Sequence, residues 1–219
     1  MINCKDCEKL CCKDSMMPIE VQLEDLKLIA KEKKLTLDKA FDIYCRIAPF
    51  TVQPPSLYRV GIALKNPCAF LGDGCKIYDI RPSTCRLFPE NVAADEKRKE
   101  SMQNRYPCVL DAKVDAKELE KLKNKIEKDK EETDKKIFSS KLFLIELKHY
   151  KNESLRLHAS MKELENKNMT EQAQVFFVRK MHMLDQIMNS GVAKYIDYKH
   201  EKAINMDMRK FVLTNLKNL

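Results

Sequence analysis

Cys4-Lys5-Asp6-Cys7-Glu8-Lys9-Leu10-Cys11-Cys12 stands at the start of the chain, and Cys75-Lys-Ile-Tyr-Asp-Ile-Arg-Pro-Ser-Thr-Cys85-Arg-Leu-Phe-Pro89 follows further on. Cys4-x2-Cys7 is a common chelate spacing. Two thiolates from one turn reach one tetrahedral centre while backbone amides support the sulfurs. With Cys68-x6-Cys75-x9-Cys85 and Cys108 behind it, the pattern reads as a metal site rather than a chance cluster. The chain has nine cysteines, and all of them, Cys45 included, fall within the first 108 of 219 residues.

The adjacent pair Cys11-Cys12 constrains how the thiols divide. Neighbouring side chains on a helix diverge by about 100°, and on a strand they point to opposite faces. The pair is therefore expected to serve two centres, or to include one buried spectator. Without Cys45 there are eight candidate ligands: Cys4, Cys7, Cys11, Cys12, Cys68, Cys75, Cys85 and Cys108. Eight divides into two sets of four. A single cluster with structural cysteines beside it also satisfies the count.

Outside these motifs the chain has two compositional halves. All eight prolines lie at or before Pro107, and Gly191 is the single glycine after Cys108. The break predicts a cysteine-rich metal-binding domain over 1–110 and a helical domain or bundle over 111–219, which would cap the site or dock a partner. The polar segment Met1–Cys7 has no apolar core of the kind a secretory signal needs. No stretch approaches 18 consecutive apolar residues, so no spanning helix and no membrane role are expected. A reducing, cytoplasmic setting follows, where clustered cysteines read as metal ligands rather than disulfides. The formal net charge is +8. Four thiolates on one zinc ion would add about −2, so the positive balance is weak ground for nucleic-acid binding.

Periodicity predicts an α+β fold. Leu23, Leu26, Ile29 and Ala30 give 22–34 a helical stripe. Thr36 is a candidate N-cap for a second helix holding Leu37, Phe41, Tyr44 and Cys45. Pro49, Pro54 and Pro55 predict an extended loop. Short strands are expected at Ile19–Val21 and Leu57–Leu64, with a hairpin over 66–78 turning at Gly72-Asp73-Gly74. From Asp115 the pattern is helical throughout. Leu119, Leu122 and Ile126 form a stripe that lapses at Asp129 and Thr133, and further helices are expected over 137–150, 153–166, 170–189 and 192–216. The Lys-rich run from Lys117 to Lys136 alternates in sign with Glu and Asp, the pattern of a solvated helix face.

The two cysteine motifs together resemble the CxxCxxxCC zinc- or iron-chelating domain family, also called the YkgJ family. The signature C-x-I-Y-x-x-R-P-x-x-C-R-x-F-P is matched in full from Cys75 to Pro89. The resemblance covers roughly residues 1–110. It implies a shared set of eight cysteines that fall on Cys4, Cys7, Cys11, Cys12, Cys68, Cys75, Cys85 and Cys108, with no place for Cys45. The helical half lies outside it.

Between the two metal chemistries the spacing favours iron. Zinc sites usually pair two well-separated C-x2-C knuckles, and one such pair is present. Irregular spacing suits a polynuclear cluster approached from several directions. The expected cofactor is an iron–sulfur cluster of the [4Fe–4S] type, one or two per chain, with zinc as the alternative. Arg81 and Arg86 flank Cys85 and could donate hydrogen bonds to thiolate or sulfide; an ion pair with Asp73 or Asp79 is the plain alternative for them.

Other residues have plain readings. Cys45 reads as a buried free thiol. Tyr78 and Phe88 read as packing around the metal core. His149, His158, His182 and His200 show no paired-ligand spacing. Met181, Met183 and Met188 read as core filler. Nucleotide-cradle and nucleophile-elbow motifs are absent. Three functions remain: an iron–sulfur protein with a redox or accessory role and a protein partner at its helical half; a metal- or cluster-dependent enzyme modifying a protein or small molecule; and a zinc-stabilised interaction protein. Zero tryptophan and no basic–aromatic interleaving argue against RNA as the partner.

Overall fold

Leu23, Leu26, Ile29 and Ala30 are all buried, and they make α2 (Leu23–Glu32) the floor of the core. The computed structural model describes residues 10–13, 18–53, 57–139, 143–146, 194–197 and 202–219. Before α2 lies a single-turn helix, α1 (Leu10–Lys13). After it comes α3 (Leu37–Tyr44), with Thr36 at its N-cap and Ala40 and Phe41 on its buried side. The expected helical stripes in this region are present because periodicity and burial agree.

Two strands follow, β1 (Cys45–Gln53) and β2 (Leu57–Leu64), paired antiparallel from Cys45 opposite Leu64 to Gln53 opposite Leu57. Here the structure corrects two readings. Cys45 opens a strand rather than lying on a helix face, and Pro49 sits within β1 opposite Val60 rather than in a loop. The physical reason is position: β1 is an edge strand, where a residue without an N–H breaks no inner ladder. The strand at Ile19–Val21 reduces to one bridge, Glu20 to Ala63, held by Val21 N–H to Ile62 O (2.9 Å) and Leu64 N–H to Ile19 O (3.0 Å). The hairpin over 66–78 is likewise a tight turn with one bridge, Leu71 to Cys75.

Four helices continue the chain: α4 (Ser83–Leu87), α5 (Glu90–Ala93), α6 (Glu96–Met102) and the long α7 (Ala116–Lys136). Asp115 caps α7, accepting the N–H groups of Lys117 (2.9 Å) and Glu118 (3.1 Å). Along α7 only Leu119 and Thr133 are buried, as the alternating charge predicts.

The sheet then grows from the second half of the chain. Strands β3 (Phe143–Glu146), β4 (Lys194–Asp197) and β5 (Lys202–Asn205) add in order to β2, all antiparallel. The α+β class is observed, but 111–219 is not all-helical. The helices read over 137–150 and 192–216 give way to strands, and the closing helix α8 spans Met208–Lys217. The free edge of β2 offers unpaired backbone groups, and a ladder on it outweighs a short stretch's helical periodicity. The helices read over 153–166 and 170–189 lie outside the described residues, as do Met181, Met183 and Met188 and the four histidines.

One buried cluster joins α2, α3, β1 and β2 to Ile137, Phe138, Tyr195, Met208, Val212 and Leu216. Side chains from both sides of residue 110 therefore share a core. A second, smaller cluster gathers around Val92, Tyr106 and Val109. Among the described residues no helix is long and apolar enough to cross a membrane.

Candidate metal centre

Three separated pieces of chain carry Cys12, Cys68, Cys75 and Cys85, and backbone bonds bring them together. The N–H of Cys68 donates to the carbonyl of Cys12 at 3.0 Å, fastening α1 to the turn after β2. Within that turn Leu71 N–H donates to Cys68 O (3.0 Å), Gly72 N–H to Gly74 O (3.0 Å) and Lys76 N–H to Phe70 O (2.9 Å), which folds Cys75 back beside Cys68. Cys85 sits in the middle of α4. Both residues before it are tied elsewhere: Ser83 to Asp25, and Thr84 Oγ1 to the carbonyl of Glu20 (3.0 Å).

The thiols influence one another. Cys12 is pushed up to about 12, first by its hydrogen bond with Cys11 and further by burial, while a hydrogen bond with Cys68 pulls the other way. The hydrogen bond with Cys12, then burial, raises Cys68. Cys85 is raised by burial first and then by the charges of Cys68, Cys12 and Cys75. Cys12, Cys68, Cys75 and Cys85 share an apolar cluster with Tyr44, Phe70, Ile77 and Ile80, and burial disfavours the bare thiolates of Cys12, Cys68 and Cys85, so the four make a soft donor set that a cation would relieve. The donor set fits zinc or iron–sulfur chemistry and does not suit a hard cation. Among the described residues, no group of three or more His, Cys, Asp or Glu side chains is arranged to hold a single metal ion.

Cys11 and Cys12 face different company. Cys12 packs on the main core with Cys75 and Cys85, whereas Cys11 joins Leu10, Phe88, Met102 and Cys108 on the smaller cluster. Their sulfurs nevertheless lie 4.0 Å apart. The expected divergence is thus smaller than the helical angle implies, because rotation about each Cα–Cβ bond can turn adjacent sulfurs toward each other. Cys108 lies in a 3₁₀ turn over Pro107–Val109, half-buried, below the edge-to-face pair Phe88–Tyr106 (5.3 Å between ring centroids). Cys4 and Cys7 lie outside the described residues. Cys45 is buried at the start of β1, its thiol pushed up to about 12 by burial, with Cys68 near enough to add to the shift.

The two arginines have different neighbours. Arg81 is buried with its guanidinium 4.3 Å from the ring centroid of Tyr78. Arg86 donates from Nη2 to Ser83 Oγ at 3.1 Å, and its Nε is buried without a hydrogen-bond partner.

Two buried polar residues at the start of α2, one on it and one bonded to it, carry no motif in the sequence. Asp25 lies within the apolar face of α2, beside Leu26, and Thr133 falls where the α7 stripe lapses. A charge inside an otherwise apolar helical stripe was the available signal. Its partner, Ser83, carries none.

No curated protein and no solved structure matches the chain. One family model does match, over residues 3–109, with the description "Putative zinc- or iron-chelating domain" and the name CxxCxxCC. Where that name has two residues before the paired cysteines, this chain has Glu8, Lys9 and Leu10. Residues 3–109, which hold all of the cysteines gathered above, are thus what this chain shares with the CxxCxxCC model of zinc- or iron-chelating domains.

Proposed function

We propose that the protein is an iron–sulfur protein with a redox or accessory role in a reducing, cytoplasmic setting. Cys12, Cys68, Cys75 and Cys85 hold one cluster. Cys11 and Cys108, with Cys4 and Cys7, supply the thiols of a second. The exposed face of α7 is the docking side for a protein partner. The observation that carries this reading is the gathering of four buried or half-buried thiols from three stretches of chain inside an apolar shell. A polynuclear cluster has irons at several corners, so its ligands need not crowd a single ion.

One distance favours a second reading. The 4.0 Å between the Cys11 and Cys12 sulfurs is close to the edge of a tetrahedral four-sulfur zinc site, about 3.8 Å for zinc–sulfur bonds of about 2.3 Å. A zinc-stabilised interaction domain would use that pair together.

Purification without oxygen, a visible spectrum, and counts of iron, sulfide and zinc per chain decide between the two. A brown protein with matched iron and sulfide is the expected result, and the count separates one cluster from two. A colourless protein holding one or two zinc ions would overturn the redox reading.

A further inference from the structure

Asp25 is 1% exposed, one of the few charged side chains buried among the described residues. Its two oxygens have separate duties. Oδ2 accepts the N–H of Gln22 at 3.0 Å and so closes the first turn of α2. Oδ1 accepts both the N–H and the Oγ–H of Ser83, each at 3.0 Å. Ser83 is likewise 1% exposed, and its Oγ takes a further bond from Arg86 Nη2. Ser83 is the first residue of α4 and lies two positions before Cys85.

A five-residue helix has no stability of its own, because nucleation outweighs the single turn it gains. The direction of α4 must come from its attachments. The bonds from Ser83 and Thr84 to residues 20–25 supply them, and the one to Asp25 is the buried, charge-assisted one.

We infer that Asp25 is a positioning residue for the metal centre, holding the first turn of α4 through Ser83 and thereby the place of the Cys85 sulfur. The inference rests on the reading of Cys85 as a ligand. Asp25 acts one step removed from the ligand, through Ser83 rather than through the Cys85 sulfur, and loss of the outer partners of a metal site costs about 10–100-fold in affinity.

The test compares wild type, Asp25→Asn, Ser83→Ala and, as a control, Val212→Ala, which opens a cavity in the core at α8. Each is purified with its native metal and challenged with excess chelator, and thermal midpoints are recorded alongside. Asp25→Asn and Ser83→Ala should release metal about 10–100-fold faster than wild type. Val212→Ala should release it at close to the wild-type rate despite an equal or larger loss of thermal midpoint. A folded Asp25→Asn or Ser83→Ala that releases metal at the wild-type rate would overturn the inference, as would equal acceleration in Val212→Ala. Should Asp25→Asn fail to fold, Ser83→Ala decides, since it leaves Asp25 its bonds from Gln22 and from the Ser83 N–H. If wild type holds no metal, the ligand reading fails by itself. Thiol labelling of Cys85, read by peptide mass, then still tests the positioning. It should be at least about 10-fold faster in both site variants than in Val212→Ala, and equal labelling would overturn it.

Discussion

Thr133 Oγ1 accepts the backbone N–H of Leu23 at 2.8 Å, across 110 positions of sequence. The same hydroxyl donates to the carbonyl of Asp129 at 2.7 Å. A residue near the end of the charged helix α7 thus caps the most buried helix of the core. Next to it, Asp25 satisfies Gln22 and Ser83, so the start of α2 is where the cysteine-bearing α4 and the long α7 both attach. The anchor of the helix that carries Cys85 and the attachment of α7 thus meet at one turn of α2.

Replacing Thr133 by Val keeps the shape and removes the acceptor. The Leu23 N–H would then be buried without a partner, at about 1–3 kcal/mol. Denaturant midpoints should fall accordingly for Thr133→Val and stay close to wild type for Thr133→Ser. A wild-type midpoint in the valine variant would show that water replaces the hydroxyl.

Cys12→Ser and Cys85→Ser should each lower metal content sharply, because hydroxyl oxygen is a poor substitute for a soft thiolate and metal binding contributes folding energy here. Cys45→Ser, at the buried start of β1, should keep wild-type metal content while losing some stability. Elemental analysis of the three variants checks both halves. Metal loss from a well-folded Cys45→Ser would make that thiol a ligand.

Alkaline pH should destabilise the fold in a defined window. Burial raises Tyr195 from the usual 10 to about 12, with the charge of Asp207 adding to it. A raised group contributes stability that is fully present below its unfolded value and lost as pH climbs to the folded one. Between about pH 10 and 12 the unfolded chain releases this proton while the folded chain keeps it. The contribution at stake is about 2–3 kcal/mol. Urea midpoints from pH 9 to 11.5 should fall more steeply in wild type than in Tyr195→Phe; parallel curves would clear Tyr195.

Helix α8 should be integral to the core rather than an appendage. Leu216 is 2% exposed and packs with Phe41 of α3 in the main cluster. Leu216→Ala should cost about 2–5 kcal/mol by the cavity it leaves. A single cooperative transition with a lowered midpoint is expected. Loss of a separate late transition, with the first unchanged, would mean that α8 unfolds independently.

Much of the first half was legible from local pattern. The stripes of α2 and α3, the strand at Leu57–Leu64 and the turn at Gly72–Gly74 follow from periodicity and glycine placement, because each lies where local preference and burial agree. The cysteine motifs point to a thiol-based centre because so many soft donors at chelate spacing suit a shared metal site. The strands at Phe143–Glu146, Lys194–Asp197 and Lys202–Asn205 were not legible, since what makes them strands is the free edge of β2, far away in sequence.

By itself the sequence determined the chemistry: which half carries the thiols, that they are soft donors, and that residues 3–109 match a model of zinc- or iron-chelating domains. Tertiary structure alone decided the company each sulfur keeps. Cys12 lies with Cys68, Cys75 and Cys85 on the main core, Cys11 and Cys108 pack against the smaller cluster, and a buried carboxylate on α2 holds the helix that presents Cys85. Ligand identity is a property of side chains, which a sequence states directly. Ligand grouping depends on contacts between distant segments, which exist only once the chain has closed on its core.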